Sequence, residues 1–251
     1  MPTPMALRGT VAVIAALTLS ATAHAAEGPD IGGLRLGMPE EEALKVLETA
    51  KQNKVFVRNG KMTLNLTIDR MKGSFDNHVY GGQYTTGGTI VAFGVSPLTH
   101  KVWSITKTEQ IKDSRPTLKA VSEAAGKFGP IDPKAIRPQQ YKQQWMYEKG
   151  GKEIEWVNTY DKPRNGNCFE ELKSYSVSEF FIGLQYPLAP TTACARTYSI
   201  TANSRKQDGL VDDYVIAAVD IGAFLDWYKV LSTASDKALE AEGKRAGKPS
   251  L

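Results

Sequence analysis

Histidine and cysteine are scarce in this chain, with three of the first and two of the second among 251 residues. One histidine, His24, falls in the first 25 residues, so His78 and His100 alone remain for a His-rich metal site or a catalytic triad. The local signatures of strong chemistry are missing as well. There is no H-E-x-x-H, no G-x-S-x-G, no Gly-x4-Gly-Lys-Ser/Thr run and no C-x-x-C. In G-V-S at 94–96 the serine is followed by Pro97, which does not suggest a nucleophile elbow. No excess of one charge sign is present either: 31 Lys and Arg stand against 27 Asp and Glu, spread along the chain. Nucleic-acid binders normally carry a concentrated basic footprint, so that class of partner is not expected.

Long apolar runs are lacking too, save at the start. MPTPMALRGTVAVIAALTLSATAHA combines one arginine, an apolar stretch from Val11 to about Leu19, and small residues at Ala23 and Ala25. That order is expected of a removable secretion signal ending at residue 25. The apolar stretch is too short to cross about 30 Å of hydrocarbon comfortably, and no later segment matches it. No cysteine follows it to carry a lipid anchor. The expected mature chain, from Ala26, loses Arg8 only among its charges and works in the periplasm or outside the cell, with no transmembrane span. In that oxidising setting the two cysteines, Cys168 and Cys194, are expected to form one structural disulfide, being too far apart for a redox pair.

The pattern that remains is α+β. PEEEALKVLETAK (39–51) places Ala43, Val46, Leu47 and Ala50 at helical spacing behind Pro39 and three acidic residues. NKVFVRN (53–59) and MTLNLTID (62–69) read as a hairpin turning at Asn59-Gly60. Residues 70–90 show little periodicity and read as an irregular loop, and strands follow at 89–96 and 101–109. A second helix is expected behind Ser114 and Pro116, with Leu118, Val121, Ala125 and Phe128 on one face and Gly129-Pro130 at its end. Strand candidates then follow at 143–149, 151–159, 176–186, 195–202 and 210–220. Asp220 is positioned to cap a closing helix over 221–239. The expected architecture is antiparallel sheet with helices packed on one side, built from tandem helix-plus-four-strand units at 26–112 and 113–240, with a tail at 241–251.

The run I-G-G-L-R-L-G-M, followed by Glu41-Glu42-Ala43 and a short helix, resembles the leading segment of SmpA/OmlA-type outer-membrane assembly proteins and of β-lactamase-inhibitor-like domains. KVWSITKTE with LKAVSEAAGKFGP is similar to a second strand-helix element of such secreted proteins. The likeness covers residues 31–50 and 101–130, and it implies an α+β module used for protein contact rather than chemistry. Two departures stand out. Pro39 occupies the slot where that group carries a capping Ser or Thr, and the lipidation cysteine is absent.

Candidate site residues fall into three sets. Asp76 and His78, with Asp69, Ser74 and Tyr80 nearby, place carboxylate and imidazole two residues apart, the material of a metal site or an oriented base, or of plain loop-capping polar residues. Trp103, Trp145 and Trp156, with Tyr147 and Tyr160, are suited either to an aromatic ligand cleft or to a core. Glu170, Glu171, Asp212, Asp213 and Asp220 offer acids for glycoside chemistry, but adjacent Asp212 and Asp213 point to opposite sides of a strand and are expected as solvated acids. The leading expectation is a secreted or periplasmic non-catalytic protein, without cofactor, that binds a protein partner at the cell envelope. A small-molecule or glycan binder with an aromatic cleft comes second, and a hydrolase third.

Overall fold

The computed structural model describes residues 28–53, 56–68, 71–153, 175–178, 181–184, 194–206, 208–227, 229–230, 233, 237 and 240, with backbone alone at 56, 58–68, 71–80, 175–178, 181–184 and 194. The chain enters through a tight turn at Ile31–Leu34, then forms α1 (Glu40–Gln52). Pro39 precedes α1 with no side-chain cap, as its missing hydroxyl leads one to expect, and Glu40, Glu41 and Glu42 put negative charge at the helix's positive end. Four strands follow: β1 (Phe56–Ile68), β2 (Met71–Thr86), β3 (Thr89–Val95) and β4 (Val102–Gln110). The second half repeats this order. Helix α2 (Leu118–Ala124) leads into a 3-10 turn, Ala125–Phe128, and then β5 (Ile136–Arg137) and β6 (Gln140–Glu148). A separate hairpin, β7 (Tyr175–Ser178) and β8 (Phe181–Leu184), precedes β9 (Cys194–Asn203) and β10 (Asp213–Asp220). The third helix begins directly after β10, at 221–227.

The strands join into one antiparallel eight-stranded sheet in the order β1-β2-β3-β4-β10-β9-β6-β5. Each half contributes four neighbouring strands, and the last strands of the two halves, β4 and β10, meet at the centre. The fold is α+β, with helices packed on one face of the sheet. Ala43 and Leu47 of α1 and Leu118 and Val121 of α2 are buried with Val91, Phe93, Ile105, Trp145, Ile200 and Ala218 from the strands. The leading segment is part of this core, since Ile31, Leu34 and Leu36 are fully buried. It therefore acts as structure rather than as a phosphate-type loop.

Two glycines are demanded by the packing. Gly32, at φ +65°, has room for hydrogen only: a Cβ would lie 2.7 Å from the Tyr84 hydroxyl and 2.9 Å from a Val91 methyl. Gly129, at φ +152°, brings the chain so close over the sheet that a Cβ would meet Trp145 at 2.4 Å.

Several expectations are corrected. Asn59-Gly60 is not a turn; β1 passes straight through it, with Asn59 opposite Gly82 and Gly60 opposite Gly81. The thirteen-residue ladder outweighs the local turn preference, and the chain reverses after Ile68 instead. Residues 71–86 are accordingly a long strand, not a loop. The cap of α2 is Thr117, whose hydroxyl oxygen accepts the Ala120 amide at 3.1 Å, while Ser114 sits upstream at φ +50°. The stretch 176–186 is not one strand, because β7 and β8 fold back on each other. Of 151–159, Glu153 bridges to Tyr147, and residues 154–159 lie outside the described residues. The expected disulfide is also corrected: no disulfide bond is present among the described residues. Cys194 opens β9 opposite Glu148, and Cys168 lies outside the described residues. Sequence separation and compartment argue that a bridge would be tolerated, but the bond requires a close and specific approach of the two Cα atoms that spacing cannot supply.

Candidate functional site

At one end of the sheet, where β4 begins, β6 and β10 end and β9 begins, lies a cleft of about 1140 Å³. Its walls come from both halves of the chain. The first half supplies the leading segment around Arg35–Pro39, Glu42 of α1, and Lys101 to Trp103. The second supplies Lys127 and Phe128, the β6 end from Tyr147 to Gly151, Ala195, Arg196 and Tyr198 of β9, and Asp220 with the first turn of the third helix.

Aromatic residues back its wall, nearly buried apart from Tyr147. Phe128 stacks on Tyr198 with centroids 5.4 Å apart, and Tyr147 meets Tyr198 edge-on at 6.0 Å. The Tyr147 hydroxyl donates to the Phe128 carbonyl, which ties the end of the 3-10 turn to β6. Burial pushes the Tyr147 phenol up to about 12 and raises that of Tyr198, so both remain protonated donors at neutral pH. On the other side Trp103 packs edge-on against Trp227 at 5.5 Å and at a tilt against Phe224 at 6.0 Å.

Charge of both signs lines the same space. Arg35, Lys101, Lys127, Lys149 and Arg196 stand with Glu42, Glu148, Asp220 and Asp226. Strand register sets Arg196 opposite Asp220 on one side and Tyr147 on the other. Burial raises the Asp220 carboxyl; the Ala223 amide and then the Arg196 and Lys149 cations pull it back. Asp220 accepts that amide at 2.9 Å, which makes it the cap of the third helix as its sequence position suggests. Lys127 donates to the Asp30 carbonyl at 2.6 Å and lies over the Phe128 ring. Lys101 and Lys149 stand exposed at the rim.

Of the residues singled out in the sequence, Trp103 lines the cleft. Trp145 lies deeper, fully buried, donating its indole N–H to the Pro130 carbonyl at 2.7 Å. Trp156 lies outside the described residues. Asp76, His78 and Tyr80 belong to β2, which contributes none of the described lining residues. Their pairing with β1 is interrupted: Thr63 opposes His78 and Asn65 opposes Ser74, so three residues including Asp76 face one. Among the described residues no group of three or more His, Cys, Asp or Glu is placed to hold a metal ion, and no helix is long and apolar enough to cross a membrane.

Asp212 and Asp213 are not simple solvated acids. Arg115 reaches Asp208 at 2.7 Å and Asp212 at 2.9 Å, and Arg205 pairs with Asp213 at 2.6 Å. The Arg115 pairs tie Asp208 and Asp212 to the approach of α2, at the far end of β9 and β10 from the cleft. The cleft residues that sequence reasoning did not single out, Phe128, Arg196 and Tyr198, carried a signal only in their strand and helix-end positions. No protein-family model, curated protein or solved structure matches this chain.

Proposed function

We propose that the protein is a binding protein of the cell envelope, and that its cleft holds an extended segment of a partner polypeptide. The cleft itself carries this reading. At about 1140 Å³ it exceeds the roughly 300–1,000 Å³ typical of small-molecule pockets. It offers aromatic faces for apolar side chains, and cations and anions together for a ligand that bears both. A purely anionic ligand would meet Glu42, Glu148, Asp220 and Asp226 as repulsion. The secretion signal expected at residues 1–25 supports the envelope location. The likeness of residues 31–50 to envelope assembly domains supports protein contact.

A second reading rests on one observation, that aromatic residues, the half-buried Tyr147 among them, line the wall. Aromatic lining suits saccharide rings, which makes a glycan the alternative occupant.

The deciding experiment titrates the protein with a panel of extended peptides of mixed charge and, separately, with oligosaccharides, following tryptophan emission and calorimetric heat. Saturable peptide binding that weakens in Lys101→Glu/Lys149→Glu is expected. Saturation by an oligosaccharide, with every peptide inert, would overturn the polypeptide reading.

A further inference from the structure

The described chain begins in the wall of the cleft. Gly28 and Pro29 are among its lining residues, and Gly28 is buried. A Cβ at residue 28 would run into the Tyr198 hydroxyl, so the backbone there lies directly against the ring that Phe128 stacks on and Tyr147 meets edge-on. Two hydrogen bonds hold this stretch in place. Lys127 donates to the Asp30 carbonyl at 2.6 Å, and the Asp30 carboxylate accepts the Gly33 amide at 3.0 Å.

The residues that precede Gly28 are therefore tethered to the wall of the site. Over 19–27 they read L-S-A-T-A-H-A-A-E, mostly small side chains with one leucine, an imidazole and an acid. Fully extended, a stretch of that length reaches at most about 30 Å. A short flexible tether holds its cargo at an effective concentration of about 1 mM. A cleft that takes extended polypeptide from solution is then filled from its own chain whenever the tethered stretch binds with a dissociation constant below about 1 mM.

We propose, resting on the reading of the cleft as a polypeptide site and of residues 1–25 as a leader, that residues 19–27 occupy the cleft until the leader is removed. While attached, the stretch excludes the partner segment; removal opens the site. Hydrolysis of the Ala25–Ala26 bond by a leader peptidase takes up one water and leaves a carboxylate on Ala25 and an ammonium group on Ala26. Only Ala26 and Glu27 then remain ahead of Gly28, with a reach of about 7 Å, too little to fill a cleft of about 1140 Å³. A chain still in transit is in this way kept from binding partners before it reaches the envelope.

The test compares the full chain with the same protein processed to Ala26, both in one non-ionic detergent, titrated calorimetrically with the mixed-charge peptides. With the tether at about 1 mM and a dissociation constant of about 100 µM for the leader stretch, the full chain is expected to bind those peptides roughly ten-fold more weakly. Replacing residues 19–25 of the full chain by glycine and serine should restore the affinity of the processed chain. The synthetic peptide L-S-A-T-A-H-A-A-E should bind the processed chain below about 1 mM and compete there with the mixed-charge peptides. Equal affinity in the full and processed chains would overturn the proposal and leave the polypeptide reading standing. A glycine-serine stretch that blocks as well as the native one would do the same, as would a leader peptide that fails to compete. A processed chain that binds none of the peptides would overturn both.

Discussion

Gly32 shows how little freedom single positions have here. Its φ of +65° already strains any side chain, and a Cβ would press on both Tyr84 and Val91. Gly32→Ala is expected to lower stability by about 1–3 kcal/mol, read as a shift in the urea midpoint at unchanged m-value. Arg115 acts through charge rather than volume. It holds the Asp208 carboxyl down at about 2, below the ordinary 3.8. A depressed carboxylate contributes stability that is complete above the unfolded value and is lost as pH falls through the folded one. Melting temperatures of the parent and of Arg115→Met should therefore differ at neutral pH and converge as pH drops from about 4 to about 2. Neither behaviour was legible in the sequence. The glycines of GGLRLGM announced a turn but not Tyr84 above it, and Arg115 and Asp208 are 93 residues apart.

At the scale of elements, capping and burial decide. Thr117 gives α2 its one side-chain cap, and Thr117→Ala is expected to cost about 1 kcal/mol by thermal or chemical melting. Leu47 is the larger of the two side chains that α1 buries in the core, and Leu47→Ala should cost about 2–5 kcal/mol in the same measurement. Helix α1, the strands at 89–95 and 102–110, and the start of the third helix at Asp220 were readable because each carries its own periodicity or cap. β1 and β2 were not. Asn59-Gly60 and the glycine pairs at 81–82 and 87–88 are strong local turn signals, yet only the last pair makes a turn. The first two oppose each other across the ladder, where small residues are tolerated because neighbouring strands supply the hydrogen bonds.

For the whole molecule, the decisive contact is between β4 and β10. It fuses two helix-plus-four-strand halves into one sheet and brings their ends together around the cleft. One shared sheet implies one cooperative unit. Urea unfolding followed by tryptophan emission and by far-ultraviolet circular dichroism should trace a single, coincident transition. Two separated transitions would mean that the halves unfold independently despite the shared ladder.

The class of fold, the number and order of most elements, and the expected secretion signal come from the sequence alone, because periodicity, caps and apolar runs are local properties of neighbouring residues. The cleft, the ion pairs of Arg115, and the path of β1 and β2 were decided by tertiary structure. Each depends on which distant segments lie side by side. Phe128, Tyr147, Arg196, Tyr198 and Asp220 become one surface only when β6, β9 and β10 pair in their particular register, and register is set by the summed burial of the whole sheet rather than by any stretch within it.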